Sequence, residues 1–394
     1  MNNSTPNFAP AERISSFKPY FFATLGKKLA ELKSKGMDVI RIDIGSPDLP
    51  PADFIVDSLV SSARRSDTHG YSPNGGTPAF RKSIVEYYME RFEVELDPQK
   101  EVLGLIGSKE GLFNLSQVLL NPGDISLVPD PGYPVYSAGS IIAGAEIVYL
   151  PLLKENGFLP DLKAIAPDVL SRAKIMWLNY PNNPTGAVAT MEFYEEAVAF
   201  AREHNILIAH DAPYCDVTFD DYNAPSILQV PGARDVTVEF NSLSKTYNMA
   251  GWRLGMAVGN AQVINYLSTY KSQMDTSTFI PVFDAGVTAL TSDQSWLNER
   301  NAIYRERRDI LVEGLRKAGF TLESPRAAIY VWAQLPNGNM DSMAFCSRML
   351  EEIGVSTTPG VVYGQHGEGF LRISLGQSTE RIREAVQRIE NWKY

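Results

Sequence analysis

Cysteine is nearly absent from this chain. Cys215 and Cys346 are the only two, far apart and without the spacing of a disulfide framework or a metal site, so both are expected to be free thiols in a reducing compartment. Long apolar runs are missing too. The best one, residues 141–153, is broken by Glu146 and Pro151 and falls short of the roughly 20 apolar residues that a membrane span needs. Residues 1–10 are polar and lack the basic and then apolar pattern of a secretory leader, so a cytoplasmic location is expected. Positive charge is in deficit: 36 Lys and Arg stand against 46 Asp and Glu, for a net charge of −10. The basic residues form no run, which argues against a nucleic-acid partner. Neither G-x-G-x-x-G nor a Walker A pattern occurs, which argues against a hydride-transferring dinucleotide enzyme or a nucleotide-phosphate enzyme.

What is present is the composition of an ordered, globular enzyme. With 44% hydrophobic and 21% charged residues over 394 positions, the chain is long enough for two cores. Short apolar runs at 102–106, 125–128, 146–150, 174–178, 206–209, 236–240 and 254–258 read as seven strands. Helical patterns at 78–92, 110–120, 133–143 and 190–204 separate them, and crossovers of that length require parallel strands. The expected fold class is α/β, a large domain with a mostly parallel seven-stranded sheet between helices. After about residue 290 the pattern changes to a long charged helix at 296–318, strands at 328–335 and 370–375 and a terminal helix from 379, which reads as a smaller α+β domain. A further helix is expected at 22–35. The expected division is an N-terminal segment, 1–50, packed with the small domain, a large domain, 51–285, and a small domain, 286–394.

The most specific motif is Ser242-Leu243-Ser244-Lys245 with Met249-Ala250-Gly251-Trp252-Arg253-Leu254-Gly255 after it. A lysine amine forms a Schiff base with an aldehyde, the hydroxyls of Ser242 and Ser244 hydrogen-bond phosphate, and Arg253 offers a guanidinium fork for a phosphate dianion. A bare S-x-S-K is ordinarily a solvated lysine in a turn; the spacing through Arg253 is what points to a phosphorylated aldehyde. Between a strand and a helix, Gly107-Ser108-Lys109-Glu110-Gly111 adds a second place where backbone N–H groups and a helix dipole bind phosphate, with Ser108 and Lys109 as contacts. In Ile208-Ala209-His210-Asp211 an apolar strand ends in a carboxylate, a charge placed where a strand meets a loop and able to hold a protonated nitrogen in its charged form.

This lysine signature resembles that of the class I/II aminotransferases of pyridoxal-phosphate fold type I, and further motifs in that family's order extend the resemblance from about residue 44 to residue 375. The resemblance implies pyridoxal 5′-phosphate as cofactor, bound to Lys245. It implies that Asp211 pairs with the pyridine nitrogen and that Tyr214 and Asn183, the latter in Asn182-Asn183-Pro184-Thr185-Gly186, reach the cofactor's phenolic oxygen. Tyr133, in Asp130-Pro131-Gly132-Tyr133-Pro134, would stack on the ring. Tyr71, followed by Gly75, Gly76 and Arg81, would reach the phosphate of a neighbouring subunit, which makes the expected assembly a homodimer with shared active sites. Arg372, in Leu371-Arg372-Ile373-Ser374, would bind the substrate's α-carboxylate, and Gly45, in Ile44-Gly45-Ser46-Pro47-Asp48, would offer a backbone N–H from a mobile stretch that closes over substrate. No metal is expected.

The reaction so implied moves an amino group between an amino acid and a 2-oxo acid, with Lys245 as general base. Residues 19–20, 33–36, 44–50 and 107–111 resemble the LL-diaminopimelate branch of the family, whereas 274–279 depart from its pattern with bulkier residues; aspartate, alanine and aromatic donors stay open. A lyase or synthase of the same fold, and a non-catalytic cofactor-binding regulator, are the alternatives.

Overall fold

The computed structural model describes residues 8–17, 21–336 and 341–394. The resemblance at residues 19–20 lies outside them. Seven strands form the large sheet: β1 Val102–Leu105, β2 Ile125–Asp130, β3 Glu146–Pro151, β4 Ala173–Asn179, β5 Leu207–Asp211, β6 Thr237–Ser242 and β7 Gly255–Gly259. Their order across the sheet is β1-β7-β6-β5-β4-β2-β3, and every pairing is parallel except those of β7 with β1 and β6. The apolar runs explain the sheet: β1, β2, β5 and β6 are buried almost throughout because helices cover both faces. Every strand expected from sequence is present with ends shifted by one or two residues. The sequence reading gave no helix for Asp53–Ala63, Ala261–Met274 or Ile280–Thr291.

The second lobe carries a three-stranded sheet, Thr358–Pro359, Phe370–Ser374 and Tyr330–Gln334, with helices Ser342–Ile353 and Thr379–Glu390. Its core joins Ile40 and Ile42 to Leu311, Leu371 and Ile382, and the two-residue strand Ile40–Arg41 pairs with Val355–Ser356. The segment before residue 50 is thus tied to the C-terminal lobe. The expected boundary between residues 285 and 286 falls inside helix Ile280–Thr291, whose Ala285, Ala289 and Leu290 belong to the large core. We therefore propose the lobe boundary at the 22-residue helix Trp296–Lys317, which touches both cores. Among the described residues no helix is long and apolar enough to cross a membrane.

Candidate active site

A cavity of about 1190 Å³ opens where the carboxyl ends of β4, β5 and β6 face the second lobe. The crevice beyond strand ends is where open α/β sheets bind ligands, because loops and helix N-termini converge there. Every candidate cofactor or substrate residue named from sequence lines it, except Tyr71. Tyr71 is 91% exposed on the outer surface, so nothing in the single chain brings it to the cavity.

Ser242 ends β6, and its hydroxyl accepts the Ser244 N–H at 3.2 Å, capping the short helix Leu243–Thr246 that carries Lys245. The Lys245 Nζ donates to the carbonyl of Gly45 at 2.5 Å and stands 5.9 Å from the Tyr214 ring centre. Desolvation, with the positive charges of Arg372 and Arg253, lowers the Lys245 pKa to about 7. An amine held there is a base and a nucleophile at neutral pH. The sequence reading expected Gly45 to offer its N–H; the structure uses its carbonyl.

Asp211 ends β5 and is buried. Its Oδ2 accepts the Tyr136 hydroxyl at 2.7 Å, while its Oδ1 meets no hydrogen-bond partner among the described residues. Burial raises the Asp211 pKa to about 6, against the Tyr136 hydrogen bond and the charges of His210 and Lys245, which lower it. A buried carboxylate oxygen left unpaired is costly and marks a place where a partner is missing. The neighbouring strand braces it: Asn179 at the end of β4 donates to the Asp211 carbonyl at 2.6 Å and accepts the Asn183 N–H at 2.8 Å. The Tyr136 ring stacks on Trp177 at 4.9 Å.

Across the cavity, helix Ser108–Leu119 begins beside Arg253. Gly107 lies at φ +75°, and a Cβ there would sit 2.4 Å from Arg253 Nη2, so only glycine lets the guanidinium approach. Gly255 is required for the same reason: its Cβ would fall 2.7 Å from the Ser108 nitrogen. Free helix N–H groups, the serine hydroxyls and a guanidinium thus meet at one end of the cavity, the donor set of a phosphate cradle. The exposed Lys109 ammonium stands 5.8 Å from the centre of the Tyr133 ring.

Arg372 is buried on strand Phe370–Ser374. It donates to Asn183 Oδ1 at 2.9 Å and to the Asp43 carbonyl at 2.9 Å, and its Nε–H stays unpaired among the described residues. Its guanidinium lies 4.2 Å from the Tyr330 ring centre and 4.9 Å from that of Tyr363. The Tyr330 hydroxyl is 2.8 Å from that of Tyr214, and burial raises the Tyr214 pKa well above the ordinary phenol value.

Sequence reasoning missed Tyr136, Asn179, Tyr330 and Tyr363. Tyr136 stands one helical turn after Tyr133, a spacing that could have drawn attention to it; the others sit in no local pattern. The departing segment 274–279 is not part of the cavity wall. It packs against residues 69–72 on the outside, where Ser72 donates to the Thr278 carbonyl at 2.7 Å.

The chain matches the family described as "Aminotransferase class I and II" over residues 37–389. It belongs to the class I and II aminotransferases. Proteins named LL-diaminopimelate aminotransferase are similar to it: that of Moorella thermoacetica is 50% identical, covering 96% of this chain and 97% of that protein. That of Syntrophobacter fumaroxidans is 48% identical, covering 98% and 100%. Among solved structures, apo-BacF of Bacillus subtilis superposes with a TM-score of 0.94 at 39% identity, covering 98% of each chain. An aspartate aminotransferase mutant of Thermus thermophilus superposes with a TM-score of 0.90 at 29% identity, covering 98% and 99%. This aminotransferase is a pyridoxal-phosphate enzyme of fold type I. The residues present fit that cofactor. The unpaired Asp211 Oδ1 awaits a ring N–H, and the donors around Ser108 and Arg253 suit its phosphate.

Proposed function

We propose that this aminotransferase takes LL-diaminopimelate as amino donor and 2-oxoglutarate as acceptor, with Lys245 holding the cofactor and moving the proton. The observation that carries the catalytic reading is the convergence of Lys245 Nζ, the unpaired Asp211 Oδ1 and the unpaired Arg372 Nε on one cavity. The donor rests on the names of relatives 45–50% identical over nearly the whole chain. Bound pyridoxal phosphate supplies an aldehyde for the amine and a protonated ring that withdraws electrons from the α-carbon.

The chain's own residues supply the rest. Asp211 keeps the ring nitrogen charged, and Tyr136 keeps Asp211 in place. Tyr133 would cover the ring, while Tyr214 and Asn183 would hydrogen-bond its phenolic oxygen. Ser108, Lys109, Ser242, Ser244 and Arg253 hold the phosphate. Arg372 takes the amino acid's α-carboxylate through its free Nε–H, with Asn183 fixing the guanidinium's other side, and Gly45 borders the same end. Lys245 Nζ, neutral above about pH 7, would take up the proton that leaves the α-carbon and hold it for return.

The proposal includes a homodimer in which Tyr71 completes the phosphate site of the second copy. Its exposure, and that of Tyr266, Tyr270, Met274 and Phe279 on the segment that the fold packs against residues 69–74, supports a covered face here. Mixing inactive Tyr71→Ala and Lys245→Ala proteins tests it: hybrid dimers with one intact site regain activity, and independent sites regain none. The cytoplasm is the location we assign, supported by the two free, buried thiols.

One observation favours a second donor class. The outer cavity wall is apolar, with Phe17, Phe21, Phe113, Ile141 and Val361, and Arg41 there is already paired with Asp43 at 2.6 Å. An aromatic or aliphatic donor suits that wall. Glutamate formation from 2-oxoglutarate with each donor separates the readings. LL-diaminopimelate should give the highest kcat/KM; turnover confined to aromatic donors would replace the first reading with the second. Release of ammonia or pyruvate without an acceptor would mark a lyase instead.

A further inference from the structure

Two of the three buried arginines on the long helix Trp296–Lys317, Arg300 and Arg307, reach toward the cavity though they have no part in the chemistry described so far. Arg300 is 3% exposed and, among the described residues, has no carboxylate within ion-pair distance. Its guanidinium is spent on main-chain oxygens: Nη1 donates to the carbonyl of Lys245 itself at 2.8 Å and to that of Thr246, and Nη2 donates to the Asp216 carbonyl at 2.8 Å. The neighbouring Asn301 accepts from Nε at 3.1 Å. Burying a cation to hold carbonyls is expensive, and two of the three carbonyls held, those of Lys245 and Thr246, end the short lysine-bearing helix.

Arg307 stands seven residues on, two turns along the same face. It grips Asp48 with both nitrogens, at 2.7 and 3.0 Å, and donates to the Leu375 carbonyl at 3.0 Å, just past the strand that carries Arg372. Asp48 belongs to the loop whose Gly45 carbonyl accepts from Lys245 Nζ. That loop also runs tightly over Gly376, where a Cβ would lie 2.2 Å from the Ser46 carbonyl. Lys245 is therefore held from two sides by one rigid helix: its main chain through Arg300, and its amine through Arg307, Asp48 and Gly45.

We propose that Arg300 and Arg307 are positioning residues which fix the Lys245 amine against the 44–48 loop and the carboxylate-binding strand. Arg300 sets where the amine swings from. Arg307 sets the loop and strand end that the substrate carboxylate meets. The proposal rests on the reading of Lys245 as the reacting lysine.

The test compares holoenzymes carrying Arg300→Lys, Arg300→Met, Arg307→Lys and Asp48→Asn, with Lys245→Ala as control. Each is measured for pyridoxal-phosphate affinity of the cofactor-free protein, the pH midpoint of the lysine-bound cofactor's visible band, kcat and KM. Arg300→Met is expected to lower kcat by about 100-fold, the cost of a misplaced reacting group, and Arg300→Lys to recover part of it. Both should displace the pH midpoint while KM stays within about 3-fold of the parent. Asp48→Asn and Arg307→Lys should raise the amino acid's KM by about 10-fold and leave cofactor affinity unchanged. A folded Arg300→Lys enzyme with unaltered kcat and pH midpoint would overturn the proposal. If neither Arg300 variant folds, Asp48→Asn and Arg307→Lys decide, an unchanged KM in both counting against it. A visible band surviving in Lys245→Ala would instead sink the reading of Lys245 itself.

Discussion

Asp211 and Arg372 are both buried, both face the same cavity and both keep one polar atom unpaired, yet they are held in different ways. Asp211 sits at a parallel strand end among neighbours in the same sheet, with Asn179 on the adjacent strand and Tyr136 on the helix after β2. Arg372 is held by Asn183 from the large lobe and by the main chain of Asp43, which is 329 residues away in sequence. The floor of the cavity is thus one rigid sheet edge, and the opposite wall is assembled from segments that meet only when the lobes pack. Changes in the floor should alter the cofactor's state, and changes in the wall should alter substrate binding with the cofactor undisturbed.

Lys245→Ala is the strongest test of the floor: transaminase turnover should fall by at least about 10⁴-fold, with loss of the lysine-bound cofactor's visible band. Asp211→Asn comes next, with kcat lowered by about 10²- to 10³-fold and a changed cofactor spectrum. Arg372→Lys tests the wall. It should raise the amino acid's KM by about 10- to 100-fold while the spectrum of the substrate-free enzyme stays as it was. If the spectrum moved as it does in Asp211→Asn, floor and wall would not be separable.

The pH dependence of the cofactor-free protein sharpens the same contrast. Asp211 takes up its proton near pH 6 when folded and near pH 4 when unfolded, so the folded form binds more protons between these values. Stability therefore falls as pH rises through that window, by about 3 kcal/mol in all, and Asp211→Asn should remove this slope in thermal melts of the apoprotein. Cofactor binding should restore what ionisation costs. The smallest effect is expected from Tyr330→Phe, which removes the hydrogen bond with Tyr214 and should cost about 1 kcal/mol of stability, with kcat changed only a few-fold.

Legibility in the sequence followed the same division. Lys245, Ser242, Ser244 and Arg253 lie within twelve positions, and strand, turn and lysine helix are local events, so their motif was readable before any fold was known. Asp211 and Asn183 were proposed because the turns at their strand ends carry motifs that resemble the family's; turn chemistry alone would not have named them. Tyr136 escaped because an aromatic ring in an amphipathic helix looks like core. Tyr330 and Arg300 escaped because their roles depend on partners more than fifty residues away. The boundary proposed here lies later than residue 285 for a similar reason: helix Ile280–Thr291 is apolar along the face that joins the large core, and packing is what assigns it there.

Hydrophobic periodicity by itself determined the strands, and local motifs carried the resemblance that implied the family, the cofactor and the role of Lys245. Those signals act over one strand or one turn, where backbone geometry fixes which side chains share a face. Tertiary structure alone decided that Asp211 keeps a bare oxygen, that Lys245 is desolvated beside Arg372 and Arg253, and that one helix grips the lysine and the loop above it. These are properties of burial and of long-range contact, and they arise only where distant segments exclude water together.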